Sequence, residues 1–251
     1  MNNNEEMSDF QFKQFGISQD RCAMKVGTDG VLLGAWADGG KRILDIGSGT
    51  GLISLMMAQR FSDAQVVGID IDNEACFQAR ENVAASPFAQ RVRIENCRLQ
   101  DYLGFSANVL EKNEDEKPND MRFDAIVSNP PFFVNSMKNP DNKRALARHA
   151  DTLPFSELWR GVKRLLSEHG VFSVVLPVEA VPNFEAEGCI SGFYLIRNCA
   201  IKTVERKAPK RYLLSFSRHR EGVLEPTMEV MMDSEGNRSE WYRKLTDEFY
   251  L

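Results

Sequence analysis

The stretch LDIGSGTGL, residues 44–52, joins a strand-like apolar run directly to a helix-like apolar run. Glycines at 47, 49 and 51 allow the backbone to turn tightly and to approach a ligand closely. The helix that follows presents unpaired N–H groups and the positive end of its dipole to this loop. A plain glycine-rich turn is the alternative. We predict a ligand-binding loop between the first strand of an α/β domain and the helix after it.

The sequence on both sides of the loop alternates between strand-like and helix-like runs. Such alternation is typical of right-handed crossovers and of a parallel, doubly wound sheet. After residue 190, two alternating apolar runs joined by APK (208–210) predict antiparallel strands at the edge of the sheet, and MEVMMD (228–233) and WYRKLTDEFYL (241–251) predict a short strand and a closing helix. The strand-like runs are 41–46, 64–71, 91–96, 122–127 and 170–177, and the helix-like runs are 29–37, 51–61, 73–86 and 157–166.

Composition excludes several classes of protein. Of the 251 residues, 43% are apolar and 27% are charged, which is normal for a globular chain and excludes wholesale disorder. No run approaches about 18 consecutive apolar residues and the N-terminus lacks the features of a signal peptide, so we expect no membrane span. The five cysteines and three histidines are scattered. We therefore expect no metal site and a reducing cytoplasmic location. We also expect the protein to be a monomer.

An acidic residue ends the second predicted strand. VVGIDID (66–72) places Asp70 nineteen residues after Gly51, where a carboxylate can accept hydrogen bonds from both hydroxyls of a ribose. Asp72 is expected to cap the next helix. Asp45, just inside the end of the first strand, suits an amino group better than a pyrophosphate. The spacing G-x-G-x-G differs from the dinucleotide fingerprint G-x-G-x-x-G. The loop and Asp70 together predict a ligand that contains an adenosine ribose.

The run FDAIVSNPPFF (123–133) begins as a doubly buried strand and stops at a rigid polar corner. Pro130 and Pro131 cannot donate to a sheet ladder, so the strand must end before them. The Asn129 side-chain carbonyl and the Pro130 backbone carbonyl can accept two hydrogen bonds from an amine, and the prolines hold them in place. Phe132 can stack on a base that has swung out of its helix. A plain Pro-Pro turn is again the alternative.

Together, DIGSGTG (45–51), GIDID (68–72) and NPPF (129–132) resemble the motifs of seven-stranded, Rossmann-like class I methyltransferases that use S-adenosylmethionine. The segment FKQFGISQDRCAMKVGTDGVLLGAW (12–36) narrows the resemblance to the bacterial tRNA1(Val) N6-adenine methyltransferase family with its N-P-P-[FYW] motif. The resemblance covers about residues 10–220. It implies methyl transfer to the exocyclic N6 of an adenosine in tRNA, next to the valine anticodon.

The resemblance also implies roles for individual residues. The catalytic residues would be Asn129, Pro130, Pro131 and Phe132, and the cofactor would be held by Thr28, Asp45, Gly47, Ser48, Gly49, Gly51, Asp70, Ile71, Leu99, Asp101 and Asn129. One position departs from the family: relatives place an aspartate directly after the third strand, where this chain has Arg98. Either Asp101 or backbone groups of Arg98 and Leu99 would then hold the cofactor adenine. Thr28 either caps the helix after it, or Thr28 or Asp29 closes the methionine end of the pocket.

We divide the chain into a flexible N-terminus (1–9), a cap segment packed on the cofactor site (10–40) and a methyltransferase domain (41–251). Residues 104–120 are mostly polar and have no periodicity, so we expect an exposed loop insertion.

Local charge predicts an RNA contact. Between Arg197 and Arg220, eight Lys or Arg residues stand against one acid, a charge of +7, while the whole chain carries −5. A basic surface on an acidic protein suits a polyanion, although a solvated hairpin face would carry the same charge. The residues that we predict to contact tRNA phosphates are Lys207, Lys210 and Arg211, and Arg144, Arg148 and His149 at helical spacing.

Several other functions are compatible with parts of this pattern. The same corner could act on guanine N2 in ribosomal RNA or on a glutamine amide in a protein, although Phe132 favours a nucleobase. A nicotinamide-dependent oxidoreductase and a non-catalytic RNA-binding protein are alternatives of other classes. The missing G-x-G-x-x-G fingerprint and the N-P-P-F corner disfavour the oxidoreductase.

Overall fold

A computed structural model of the chain describes residues 9–21, 26–102, 122–131, 153–220, 222 and 224–251. Some predicted features lie outside the described residues: positions 1–8 of the N-terminus, the loop 104–120, and the side chains of Phe132, Arg144, Arg148 and His149. Within the described ranges, no helix has the length and apolarity that a bilayer crossing requires.

The described strands and helices follow the alternation of the sequence. The strands are β1 (Phe10–Gln11), β2 (Gly16–Ile17), β3 (Arg42–Ile46), β4 (Gln65–Asp70), β5 (Val92–Asn96), β6 (Phe123–Ser128), β7 (Leu166–Pro177), β8 (Tyr194–Val204), β9 (Arg211–Ser217) and β10 (Thr227–Met232). The helices are α1 (Thr28–Trp36), α2 (Leu52–Arg60), α3 (Asn73–Ala85), α4 (Phe155–Leu165), α5 (Val181–Ile190) and α6 (Glu240–Thr246). Each predicted strand and helix is confirmed, whereas α5 and the β1–β2 pair were not predicted.

One mostly parallel sheet carries the fold, in the strand order β10-β8-β9-β7-β6-β3-β4-β5. Strands β5, β4, β3, β6 and β7 are parallel neighbours, which confirms the doubly wound α/β class. Strand β9 runs antiparallel between β7 and β8. Two details differ from the expectation. Within the described part of the chain the sheet has eight strands rather than seven. The outermost strand β10 runs parallel to β8, so the antiparallel hairpin lies one strand in from the edge.

Apolar side chains cover both faces of the sheet, as the doubly buried strand patterns predict. On one face, α1, α2, α3, α6 and the β1–β2 pair form a first core. On the other face, α4 and α5 form a second core. The central strands are buried on both sides, and their buried polar side chains, Asp45 and Ser128, lie at or next to the carboxyl ends.

Trp159 occupies the centre of the second core and is fully buried. Its ring centroid lies 4.9–5.2 Å from the centroids of Phe172, Phe184, Phe193 and Phe216. Its Nε1 donates a hydrogen bond of 3.0 Å to the Phe184 carbonyl. This indole therefore joins α4, α5 and the sheet through both apolar area and a satisfied polar group.

We predict that Trp159→Ala lowers the free energy of unfolding by about 3–5 kcal/mol, because it removes a fully buried aromatic side chain from a packed core. Urea unfolding followed by circular dichroism measures this change. Trp159→Phe, which keeps an aromatic ring but loses the indole hydrogen bond, should cost only about 1–2 kcal/mol. A loss below about 1 kcal/mol for the alanine variant would contradict the packing described.

Candidate active site

The carboxyl ends of β3, β4 and β6 lie side by side at one edge of the sheet. Ile46, the last residue of β3, pairs with Ile69 on β4 and with Ser128 on β6. The Ser128 hydroxyl donates a hydrogen bond of 2.8 Å to the Ile46 carbonyl, which fixes the two strand ends together. The glycine loop, the acidic end of β4 and the Asn-Pro-Pro corner therefore leave the sheet as neighbours.

The glycine loop adopts a backbone that favours glycine. The N–H groups of Gly47 and Ser48 donate to the Ile69 carbonyl at 2.9 and 3.1 Å, and Gly51 N–H donates to the Ser48 carbonyl at 2.8 Å. Gly47 and Gly49 have φ values of 75° and 53°, in the left-handed region. A Cβ added at either position would meet no atom within 4 Å. The space beside these two residues is thus open to a ligand.

Asp70 joins the second strand to the loop. One carboxylate oxygen accepts from Gly49 N–H and the other from Asp72 N–H, both at 2.9 Å. A carboxylate has further lone pairs, so Asp70 can still accept hydrogen bonds from a ligand. The next side chain, Ile71, is 49% exposed and offers an apolar surface there. Asp72 caps α3 by accepting from two first-turn N–H groups, which confirms the predicted N-cap.

Asp45 is a fully buried carboxylate with one unsatisfied oxygen. Its Oδ2 accepts a hydrogen bond of 2.7 Å from the Ser54 hydroxyl, while Oδ1 has no partner among the residues that the structure describes. Burial raises the pKa of Asp45 to about 7, with a smaller contribution from the charge of Asp70; the Ser54 hydrogen bond opposes this rise. The Ser48 hydroxyl is also buried and unpartnered. Together these groups fit a ligand that donates hydrogen bonds, such as an ammonium group.

The corner after β6 begins where the strand ends at Ser128, as the two prolines predict. Asn129 is half-buried, Pro130 is buried and Pro131 is exposed. None of the hydrogen bonds among the described residues involves the Asn129 side chain. The corner itself lies at the edge where the glycine loop also opens.

The turn after β5 is the segment expected near the cofactor adenine. The Arg98 carbonyl accepts from the N–H groups of Asp101 and Tyr102, at 3.0 and 3.1 Å. The guanidinium of Arg164 donates to the Leu99 carbonyl at 2.7 Å and to the Tyr102 carbonyl. The Arg98 carbonyl thus already accepts two hydrogen bonds and the Leu99 carbonyl one, whereas the Asp101 side chain is exposed. Sequence reasoning missed Arg164, because no local motif connects α4 to this turn.

The start of α1 tests whether Thr28 caps this helix. Gly27 is the N-cap of α1 and no side chain caps the helix, so the capping alternative for Thr28 was wrong. The Thr28 side chain is exposed. Asp29 forms an ion pair of 2.6 Å with the Nε of Arg211, which ties the start of α1 to the start of β9.

The β8–β9 turn projects from the same edge as the glycine loop. Arg211, the first residue of β9, pairs with Pro177, the last residue of β7, so residues 205–210 lie at the carboxyl ends of the parallel strands. Lys207 and Lys210 in this turn are exposed. Both cations therefore lie at the edge of the sheet that also carries the corner.

The basic residues between Arg197 and Arg220 do not form a single surface. Arg218 and Arg220 follow the other end of β9, at the opposite edge of the sheet. Arg197 lies within β8, where it pairs with Asp38 at 2.7 Å and stacks on Trp36 at 3.8 Å from the ring centroid. Periodicity could not reveal this division, because it depends on the length and direction of the two strands.

Comparison with known proteins places the chain in a family. A model of the methyltransferase small domain matches residues 26–153. Proteins named tRNA1(Val) (adenine(37)-N6)-methyltransferase from Bacteroides fragilis and Phocaeicola vulgatus are 44% and 46% identical over 244 residues, 96% of this chain and 97% of each relative. The chain belongs to the tRNA1(Val) (adenine(37)-N6)-methyltransferase family. It is a methyltransferase, and its cofactor is S-adenosylmethionine.

Solved structures agree with this fold. A predicted O-methyltransferase from Agrobacterium tumefaciens superimposes with a TM-score of 0.61 at 20% identity, over 88% of this chain and 96% of that one. TYW2 from Pyrococcus horikoshii, solved with MeSAdo, gives a TM-score of 0.53 at 14% identity, over 82% of this chain and 69% of that one. Both confirm the Rossmann-like methyltransferase architecture of this family member.

We predict that Asp45→Asn stabilises the cofactor-free chain more at pH 8 than at pH 5. The pKa of Asp45 is raised from 3.8 to about 7 by burial, so the folded state binds this proton more tightly than the unfolded state does. Wild-type stability therefore falls as pH rises towards 7, and an uncharged isostere escapes that loss. Its advantage should grow by on the order of 2 kcal/mol across this range.

Urea unfolding of the two proteins at both pH values measures the difference. Asp63→Asn, at an exposed position, serves as the control and should show no such trend. A stability difference for Asp45→Asn that is the same at pH 5 and pH 8 would contradict the assigned cause.

Proposed function

We propose that this chain transfers a methyl group from S-adenosylmethionine to N6 of adenosine 37 in tRNA1(Val). The observation that carries the proposal is the strand register that sets the Asn129 corner beside the glycine loop. The reaction is the one for which relatives 40–46% identical to this chain are named. The geometry alone would also serve other –NH2 acceptors, and the names of these full-length relatives favour the tRNA adenine.

We place the cofactor along the ends of β3, β4 and β5. The unpartnered Asp45 oxygen would accept from its ammonium group, Asp70 would bind the ribose hydroxyls, and Ile71 and Asp101 would contact the adenine. The glycine loop would approach it closely through Gly47, Ser48, Gly49 and Gly51, and Thr28 would lie at its methionine end. When bound, S-adenosylmethionine supplies an electrophilic methyl group on a sulfonium.

The corner residues would activate and orient the acceptor amine. The N6 lone pair of adenine is delocalised into the ring, which makes the amine a poor nucleophile. The Asn129 side-chain carbonyl and the Pro130 carbonyl would accept its two N–H groups, favour a tetrahedral nitrogen and stabilise the positive charge that develops there. Pro130 and Pro131 fix both acceptors before the substrate arrives. Because the N–H becomes acidic once the nitrogen is alkylated, no general base is needed before transfer.

The β8–β9 turn would contact the tRNA backbone. Lys207 and Lys210 are exposed at the edge that carries the corner, and each would neutralise a phosphate. The Arg211 guanidinium donates hydrogen bonds from Nε to the Asp29 carboxylate and from Nη1 to the Lys210 carbonyl. Its main role would therefore be to hold the turn against α1. Contacts by Phe132, Arg144, Arg148 and His149 remain predictions from the sequence.

We predict that Asn129→Ala lowers kcat by at least about 100-fold while the Kd for S-adenosylmethionine changes less than about threefold, because the variant removes an acceptor of the substrate amine. Asn129→Asp keeps an acceptor oxygen in the same place and should retain at least about tenfold more activity than the alanine variant. Mass spectrometry of N6-methyladenosine in tRNA1(Val) and calorimetry measure the two effects. Wild-type turnover in Asn129→Ala would remove this residue from the chemistry.

We predict that Lys207→Glu combined with Lys210→Glu weakens tRNA binding at least about tenfold at 0.1 M salt and lowers the slope of log K against log salt by about 2. The physical reason is the loss of two phosphate contacts with their released counterions. Arg243→Glu combined with Lys244→Glu reverses two exposed charges on α6 and is the matched control. Filter binding of tRNA across a salt series compares the two double variants. An equal loss of affinity in both would show a general charge effect and contradict the prediction.

A further inference from the structure

Asn82 connects three separate segments of the chain and has no part in the site described so far. It lies on α3 and is only 4% exposed. Its Nδ2 donates to the Thr50 carbonyl at 2.9 Å and to the Ser18 carbonyl at 3.0 Å. Its Oδ1 accepts from Ser18 N–H at 2.9 Å. The amide thus uses both of its donor hydrogens and its acceptor within one buried bridge.

Thr50 belongs to the glycine loop, whose left-handed backbone has few side chains of its own to hold it. Helix α3 supports the loop at a second point one turn away, because a Cβ added at Gly51 would lie 3.4 Å from the Ala79 Cβ. The face of α3 that carries Ala79 and Asn82 is therefore the surface that sets the position of residues 50 and 51.

Ser18 belongs to the segment that precedes α1. The neighbouring Arg21 lies over the ring of Phe77, with its guanidinium carbon 4.6 Å from the ring centroid, so this segment contacts α3 at two places. Gln19 accepts a hydrogen bond of 2.6 Å from Val26 N–H and thereby links the segment to the approach of α1. Helix α3 thus holds both Thr50 and Ser18 through Asn82, and it contacts Arg21 through Phe77 on another side of the helix.

We propose that Asn82 is a positioning residue of the cofactor site, which fixes the glycine loop and residues 18–21 relative to each other. The inference rests on the cofactor placement proposed above. Without the amide, the carbonyls of Thr50 and Ser18 lose buried donors, and a shift of either segment would misplace the loop N–H groups and Asp70, which is bonded to Gly49. Cofactor affinity falls as a result, whereas the Asn129 corner stays in place.

Calorimetry with S-adenosylhomocysteine on the full-length chain tests this inference. Asn82→Ala should raise the Kd at least about tenfold, as expected for the loss of buried hydrogen bonds. The KM for S-adenosylmethionine should rise in parallel, while kcat at saturating cofactor stays within about threefold. Asn82→Asp keeps the acceptor for Ser18 N–H but cannot donate to Thr50, so it should resemble the alanine variant. Absence of binding by the wild type would instead refute the cofactor site itself.

Gln78→Ala is the matched control. Gln78 lies one turn earlier on α3 and is equally buried at 4% exposure; among the described residues, its side chain bonds only to Glu81 on the same helix. Its replacement should leave the Kd within about twofold, even where the melting temperature falls. If Asn82→Ala and Gln78→Ala both lower the melting temperature and neither changes the Kd more than twofold, Asn82 is merely structural and the proposal fails.

Hydrogen–deuterium exchange on the wild type keeps the inference testable if Asn82→Ala does not fold. Binding of S-adenosylhomocysteine should increase protection in peptides covering residues 16–21 as well as in peptides covering residues 48–54. Protection confined to 48–54 would show that the bridge does not couple the two segments, and would overturn the proposal.

Discussion

The pairing of β3 with β4 on one side and with β6 on the other is the constraint on which the site depends. Because the three strands are parallel and in register at Ile46, Ile69 and Ser128, their loops leave the sheet at one point. A ligand bound as proposed would meet the open glycine loop, the Asp70 carboxylate and the Asn129 corner together. Residues 83 positions apart in sequence, Ile46 and Asn129, thus become neighbours through backbone hydrogen bonds.

The buried Asp45 carboxylate makes the cofactor-free fold less stable than it would be with a neutral side chain there. One of its oxygens has no partner, and burying an unpaired charge is unfavourable, so the cofactor-free fold carries a penalty at neutral pH. A ligand that supplies the missing donor would offset that penalty and, since it binds only the folded chain, would stabilise the fold by mass action. Asn82 carries no such penalty, because its buried amide is fully hydrogen-bonded to Ser18 and Thr50.

The sequence predicts those parts of the molecule that follow from local rules. Pro130 and Pro131 end β6 where a ladder can no longer form, and Asp72 caps α3, since both effects act within a few residues. Contacts between distant segments have no such local signal. The Asp29–Arg211 pair and the Arg164 bonds to the turn after β5 depend on how the helices pack on the sheet. For the same reason the basic stretch could be recognised from composition, but not its division between two edges.

A crystal structure of the chain with S-adenosylhomocysteine bound is the most direct test of the account. We predict that the ammonium group lies within hydrogen-bond distance of Asp45, and that the sulfur lies within about 6 Å of the Asn129 side-chain oxygen, which leaves room for one methyl group and one amine nitrogen between them. A ligand bound away from the ends of β3 and β4, or an Asn129 side chain turned into the protein interior, would contradict it.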